Sequence, residues 1–242
     1  MCKIGVSAGK IFFKTKKQVP VFLIEKPIDL VFGMEKYTLG NTASPVILIQ
    51  PVDDHDLALL ESQVKAIKRL AYTHFCLLAV KVNNWNTDLS PWQAPAVFGK
   101  ADFGDGALQT LHEIVDLCRA ADKGKTFHIG GYSLAGLFAL WAAYQTDLFA
   151  GVAAASPSIW FPGFTDYMRS HTIKSKAVYL SLGDSEEKTR NPAMSKVGDC
   201  IRESHEILNS QGIQCTLEWN KGNHFMNPDR RTAKAFAWVM KQ

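Results

Sequence analysis

Residues 125–141, Lys-Thr-Phe-His-Ile-Gly-Gly-Tyr-Ser-Leu-Ala-Gly-Leu-Phe-Ala-Leu-Trp, restrict the fold of this chain more than any other stretch. A short apolar run breaks at two glycines, one serine sits between small residues, and an apolar segment of helical character follows. The pattern reads as strand, sharp turn and helix. In such a turn Ser133 takes strained backbone geometry, its hydroxyl lifted above a sheet and the amide of Leu134 pointing into the same space. Gly131 and Ala135, two positions to either side, let strand and helix approach closely. The pattern is Gly-x-Ser-x-Ala rather than Gly-x-Ser-x-Gly, and taken alone it also fits a turn whose serine only caps a helix.

The flanking segments give the class. Continuous apolar, β-branched runs at 44–50 and 74–82 read as strands buried on both faces, and Leu60, Val64, Ile67 and Ala71 recur between them at helical spacing. Two strands joined through a helix form a parallel crossover unit, so the sheet is of the α/β type. Leu108, Leu111, Val115 and Cys118 mark a helix over 106–122, and further strands follow at 148–155, 176–183 and 215–220. Met194, Val197, Ile201 and Leu208 mark a helix begun by Asn191 with Pro192 in its first turn. In the last helix Asn227 is the cap, Pro228 the first residue, and Ala233, Phe236, Ala237 and Met240 the buried stripe. Residues 1–45 read as antiparallel strands of the same sheet, with apolar pieces at 10–14 and 19–26 and breakers at Gly33, Gly40 and Asn41. With 242 residues and no break in composition, one α/β domain over 1–242 is expected.

Charge and cysteine usage narrow the function classes. The net charge of +4 is small, and the basic residues of 14–17, 65–69 and 221–231 are interspersed with acids, which reads as solvated faces rather than a nucleic-acid surface. Cys2, Cys76, Cys118, Cys200 and Cys215 are far apart, without a C-x-x-C pair, so neither a metal cluster nor a disulfide framework is expected. No signal-peptide pattern or membrane span is legible, and the expected location is cytoplasmic.

Ligands of open α/β sheets gather beyond the carboxyl ends of the strands, so the polar groups just after each strand are the candidates. After 183 come Asp184, Glu186 and Glu187; after 220 comes Gly222-Asn223-His224; Ser133 follows its own strand. A serine hydroxyl needs a base to become a nucleophile, imidazole suits that task near pH 7, and a carboxylate on the other ring nitrogen fixes the tautomer. His128 lies within a strand, His112 and His205 lie on helices, and His55 precedes the serine where the oxyanion loop belongs, whereas His224 stands in a Gly-Asn-His turn before the last helix and is the favoured base. Glu186, three residues beyond the strand-terminal glycine, is the favoured acid, with Asp184 and Glu187 as alternatives. For an oxyanion, one amide donor is Leu134; Pro51 has no N–H, so the second is Val52 or, failing that, Asp53. The loop 83–105 is long and rich in Trp and Pro, and Trp85, Trp92 and Trp160 are candidates for a binding wall or for sealing the core.

Together, Gly131-Tyr132-Ser133-Leu134-Ala135-Gly136-Leu137-Phe138-Ala139, Ser156-Pro157-Ser158-Ile159-Trp160, Gly183-Asp184-Ser185-Glu186 and Gly222-Asn223-His224 resemble the esterase branch of the α/β-hydrolases that includes esterase D-like and enterochelin esterase-like proteins. By order of motifs the resemblance spans roughly residues 45 to 242. It implies an eight-stranded, mostly parallel sheet with helices on both faces. The implied chemistry is hydrolysis of small carboxylic esters through an acyl-enzyme, without cofactor or metal. Ser133, His224 and Glu186 match the family's catalytic positions. Thioester cleavage, acyl transfer to another acceptor, and a non-catalytic ligand-binding role on the same scaffold are the rival expectations.

Overall fold

The strand runs that carry no charged residue form the centre of a single twisted sheet. The computed structural model describes residues 34–121 and 124–242. The expected strands at 10–14 and 19–26, Gly33 and Cys2 lie outside the described residues. In chain order the elements are β1 (Glu35–Gly40), β2 (Val46–Val52), α1 (Asp54–Leu57), α2 (Leu60–Leu70), β3 (Phe75–Lys81), α3 (Trp85–Asp88), α4 (Ala107–Ala120), β4 (Thr126–Tyr132) and α5 (Leu134–Gln145). They continue with β5 (Phe149–Ala155), α6 (Phe164–Ser170), β6 (Ala177–Gly183), α7 (Val197–Ser210), β7 (Gln214–Asn220) and α8 (Pro228–Val239). The described residues thus hold seven strands where the resemblance implies eight.

The strand order is β1-β3-β2-β4-β5-β6-β7, with β1 antiparallel to β3 and every other pair parallel. After β2 the chain moves outward to β3, then returns through α4 to place β4 on the other side of β2. That reversal makes the β2/β4 boundary the topological switch point, where a crevice opens at the carboxyl ends of the strands. The β2–β4 pairing stops at Ile49 opposite Ile129, so the two strands part before Val52 and Tyr132.

Alternation along each strand feeds two cores, as a period of two requires. Ile47, Ile49, Cys76 and Val80 face α4, α5, α6 and α7, while Leu48, Val52, Leu77 and Ala79 face α2 and α8. Helix α5 is apolar all round because it is buried all round, from Leu134 to Tyr144.

Three element boundaries differ from expectation. Strand β2 runs through Pro51 to Val52; the proline lies beyond the last β4 pairing, where one side of the strand is already free of ladder bonds. In α4 the buried stripe is Ala107, Thr110, Leu111, Ile114, Val115 and Cys118, and Leu108 is 49% exposed. The Thr110 hydroxyl donates to the Asp88 carbonyl at 2.7 Å, which turns that polar position inward. Helix α7 starts at Val197, after a 3-10 turn at Met194–Lys196. Asn191 caps the preceding turn instead, its Oδ1 accepting from the Ala193 and Met194 amides at 3.0 and 3.2 Å.

Candidate active site

Ser133 stands between β4 and α5 with φ 56° and ψ −122°, a left-handed conformation that an L-residue with a side chain adopts only at a cost. The surroundings hold it there. Its N–H donates to the Ala155 carbonyl at 3.2 Å, and its carbonyl accepts from Leu137 at 3.1 Å and from Ser158 at 3.0 Å. A Cβ built on Gly131 would lie 2.6 Å from the Cβ of Ala135, so the elbow closes only because residue 131 has no side chain. Alanine at 135 fits for the same reason: its methyl occupies the space above Gly131.

The loop after β7 carries His224 over this serine. His224 Nε2 lies 3.0 Å from Ser133 Oγ, and Nδ1 lies 2.7 Å from Glu186 Oε2. An ionised carboxylate only accepts, so Nδ1 carries the proton and Nε2 is left to accept from the serine hydroxyl. The structure therefore brings together Ser133, His224 and Glu186. Asp184 is turned elsewhere, with Oδ1 accepting from Gly222 N at 2.9 Å, and Glu187 pairs with Arg202 at 3.1 Å. The hydrogen bond from the Gly222 amide holds the Asp184 carboxyl below its usual range.

Glu186 is buried in a 3-10 turn, Glu186–Lys188. Burial pushes its carboxyl up, but hydrogen bonds from His224, the Gly183 amide and Ser156 outweigh burial and hold it below the ordinary glutamate value. Oε1 accepts from Gly183 N at 2.7 Å, Ser156 Oγ at 2.8 Å and Arg231 Nη1 at 2.8 Å. A second hydroxyl, Ser158 Oγ, lies 3.2 Å from Ser133 Oγ.

Arg231 corrects the reading of 221–231 as a solvated face. It is 2% exposed, on the buried side of α8 in phase with Ala235 and Val239. Spacing by four from that stripe is the signal that marks it. Tyr132 and Ser156 complete the group around it, and neither hydroxyl is distinguishable in sequence from an ordinary core or turn residue.

The amide of Leu134 is the first of α5 and has no carbonyl one turn back to bond. Across the switch point the β2–β4 pairing ends at Ile49 opposite Ile129, and Val52 and Asp53 follow three and four residues on in one chain segment as Tyr132 and Ser133 do in the other. Val52 closes β2, its carbonyl accepting from Val82 N at 3.0 Å, while the Asp53 side chain caps α1 by accepting from Asp56 N at 2.8 Å.

Of the three tryptophans, Trp160 lines a cavity of about 20 Å³ with Pro157, Glu186, Met194, Val197 and His224, room for about one water. Trp92 packs on Phe161, Phe164 and Tyr167, and its indole N–H donates to the Pro162 carbonyl at 2.9 Å. Trp85, at the start of α3, packs against the larger core. A larger cavity of about 350 Å³, lined by Ile47, Leu78, Leu117, Lys125 and Phe127 among others, lies at the amino ends of β2 and β4, away from Ser133 and His224.

His55 is exposed on α1, and His128 is buried in β4 with its ring pushed down to about 4 by burial. Cys76 and Cys118 are buried and their thiols pushed up to about 11 and about 12, so neither offers a thiolate at neutral pH. Among the described residues no group of three His, Cys, Asp or Glu is placed to hold a metal ion, and no helix is long and apolar enough to cross a membrane.

No protein-family model matches the chain, and no curated protein matches it in sequence. Solved structures match in fold. The chain is similar to an IroE-like serine hydrolase from Shewanella oneidensis at TM-score 0.65 and 16% identity, covering 86% of this chain and 76% of that one. It is similar to the siderophore hydrolase EstA from Aspergillus nidulans at TM-score 0.65 and 18% identity, over 86% and 90% of the two chains. A Bacillus cereus carboxylesterase matches at TM-score 0.55 and 15% identity, over 86% and 94%. At these identities the likeness is one of fold: a mostly parallel sheet with helices on both faces, as in the α/β-hydrolase esterases.

Proposed function

We propose that the chain is a serine hydrolase of small carboxylic esters, working through an acyl-enzyme on Ser133. The observation that carries this reading is the continuous relay from Ser133 Oγ to His224 Nε2 at 3.0 Å and from His224 Nδ1 to Glu186 at 2.7 Å, set on a strained elbow. His224 takes the hydroxyl proton as Ser133 Oγ bonds to the ester carbon, and returns it to the alcohol oxygen as the ester C–O bond breaks. Water then attacks the acyl-enzyme, losing its proton to His224, which passes it to Ser133 Oγ as the acid departs. Glu186 holds the imidazole in the accepting tautomer and stabilises the imidazolium.

The oxyanion formed twice along this path is assigned to the Leu134 amide and to a second amide from Val52 or Asp53, each donor being worth roughly 10²–10³ in rate in known systems. The test is a series of p-nitrophenyl esters of rising chain length, with fluorophosphonate labelling, on wild type and Ser133→Ala. Turnover and labelling of wild type, both lost in Ser133→Ala, is the expected result. A wild type that neither turns over any ester nor takes the label would overturn the reading and favour a binding protein on this fold.

A further inference from the structure

We infer that Arg231 is a positioning residue: its guanidinium binds the acid turn, the serine elbow and the histidine turn into one unit, so Glu186 presents Oε2 to His224 without help from a ligand. Arg231 Nη1 donates to Glu186 Oε1 at 2.8 Å, to Tyr132 Oη at 3.0 Å and to Ser156 Oγ at 3.1 Å. Nη2 donates to the carbonyls of Asn223 at 3.0 Å and Lys221 at 3.2 Å, both in the turn that leads into His224. Tyr132, the residue before the nucleophile, donates its own hydroxyl to the His224 carbonyl at 2.7 Å. One side chain of α8 thus reaches the ends of β4, β5 and β6 and the loop after β7.

Two features separate this from an ordinary buried ion pair. The guanidinium touches Oε1 alone and leaves Oε2 to His224, so it selects the orientation of the carboxylate. It also uses both arms of its fork on different turns, which an ammonium cannot do from one position. Both partners are buried, with side chains 3% and 4% exposed, so the charge of Glu186 is balanced by Arg231 rather than by water. A methyl group on Gly183 would come 2.2 Å from the Gly222 carbonyl oxygen, 2.9 Å from Glu186 Oε1 and 3.0 Å from Arg231 Nη1, so the strand-terminal glycine admits first the turn that leads to His224 and then the pair.

The charged and titratable groups facing Glu186 are His224, Arg231 and the Tyr132 phenol, the last pushed up to about 12 mainly by burial. Asp184 and Glu187, on the same turn, point to Gly222 and Arg202. Removing the guanidinium therefore raises the Glu186 carboxyl and leaves a carboxylate that favours imidazolium more strongly. Both effects move the acidic limb of kcat/KM to higher pH.

The kinetic part of the test rests on the ester-hydrolase reading; the spectroscopic part does not. In Arg231→Met we expect kcat to fall about 10²-fold with KM nearly unchanged, and the acidic limb to rise by about one pH unit or more. The downfield proton resonance of His224 Nδ1–H, identified by its absence in His224→Gln, should be present in wild type and broadened or lost in Arg231→Met. A folded Arg231→Met with wild-type kcat, acidic limb and downfield proton would overturn the inference. A wild type inactive on all esters, whose downfield proton still depends on Arg231, would sink the ester reading and leave the positioning role standing. Should Arg231→Met fail to fold, Arg231→Lys keeps the charge but not the fork. It should retain Glu186 contact yet lose about tenfold in kcat with a shifted downfield proton, and wild-type behaviour in it would equally refute the role.

Discussion

Three donors converge on Glu186 Oε1 and a single one, His224, on Oε2, and this asymmetry predicts what an amide would do at the same position. In Glu186→Gln the carbonyl oxygen is drawn to the Oε1 place, because the Gly183 N–H and the Arg231 guanidinium can only donate there. The NH₂ then faces Nδ1, forces that nitrogen to accept, and puts the imidazole proton on Nε2, where it blocks proton transfer from Ser133. We expect kcat to fall by roughly 10⁴, the scale known for the matching acid-to-amide change in serine proteases, with KM little altered. A variant within tenfold of wild type in steady-state assays would show that Ser133 and His224 suffice. The serine, the histidine and the glutamate were legible because each follows a strand in a fixed order. Arg231 was not, since an arginine one turn into a helix that opens Asn-Pro-Asp-Arg reads as solvated until its phase with Ala235 and Val239 is noticed. Tyr132 and Ser156 carry no signal beyond their place at a strand end.

At the scale of elements, the strands from residue 46 on were legible to within about two residues, and so was the phase of α2 and α7, whose expected stripes are buried, whereas β1 was not, since its charges and half-burial hide it. In α4 the expected Leu111, Val115 and Cys118 are buried, but Leu108 at the start of the stripe faces out and Thr110, bonded to the Asp88 carbonyl, is buried beside them. A hydroxyl with a partner takes an inward place there that the hydrophobic pattern does not mark. The β4–α5 elbow is where sequence and packing agree most closely, and it yields a test by compensation. Gly131→Ala sets two methyl groups 2.6 Å apart and should cost about 1–3 kcal/mol while opening the elbow and lowering kcat. Ala135→Gly alone should cost no more than about 1 kcal/mol, the price of glycine in a helix. Combining them removes the methyl clash but leaves the new Cβ 2.9 Å from the Ala135 carbonyl carbon, so urea melts of the four proteins should show partial rescue. Strict additivity of the two changes would mean that strand and helix are not in the contact described.

For the molecule as a whole, the sheet is held between two cores, and α8 belongs to the smaller core while its Arg231 reaches Glu186 and the turn that leads into His224. Ala233, Ala235, Phe236 and Val239 of this helix pack against β4, β5 and β6, while Arg231, in its first turn, ties the turns above them. His128 lies in the same region: a Cβ on Gly151 would meet its Nδ1 at 2.8 Å and Val239 at 2.9 Å. That nitrogen has no hydrogen-bond partner among the described residues, and burial depresses the ring to about 4. The unfolded chain takes up this proton near pH 6.5 and the folded one does not, so the contribution of a neutral His128 is fully present above 6.5 and is lost as pH falls toward 4. The loss amounts to about 3 kcal/mol, a large part of the stability of an ordinary domain. Glu186, held below the ordinary glutamate value, adds its own loss only at lower pH, as its carboxylate is protonated. Urea unfolding of wild type and His128→Leu at pH 7 and pH 4.5 separates the two: the variant should lose markedly less stability than wild type over that interval. Equal losses would mean that His128 takes up its proton in the folded protein by pH 4.5, and that its ring is not shut away from water as its burial in β4 requires.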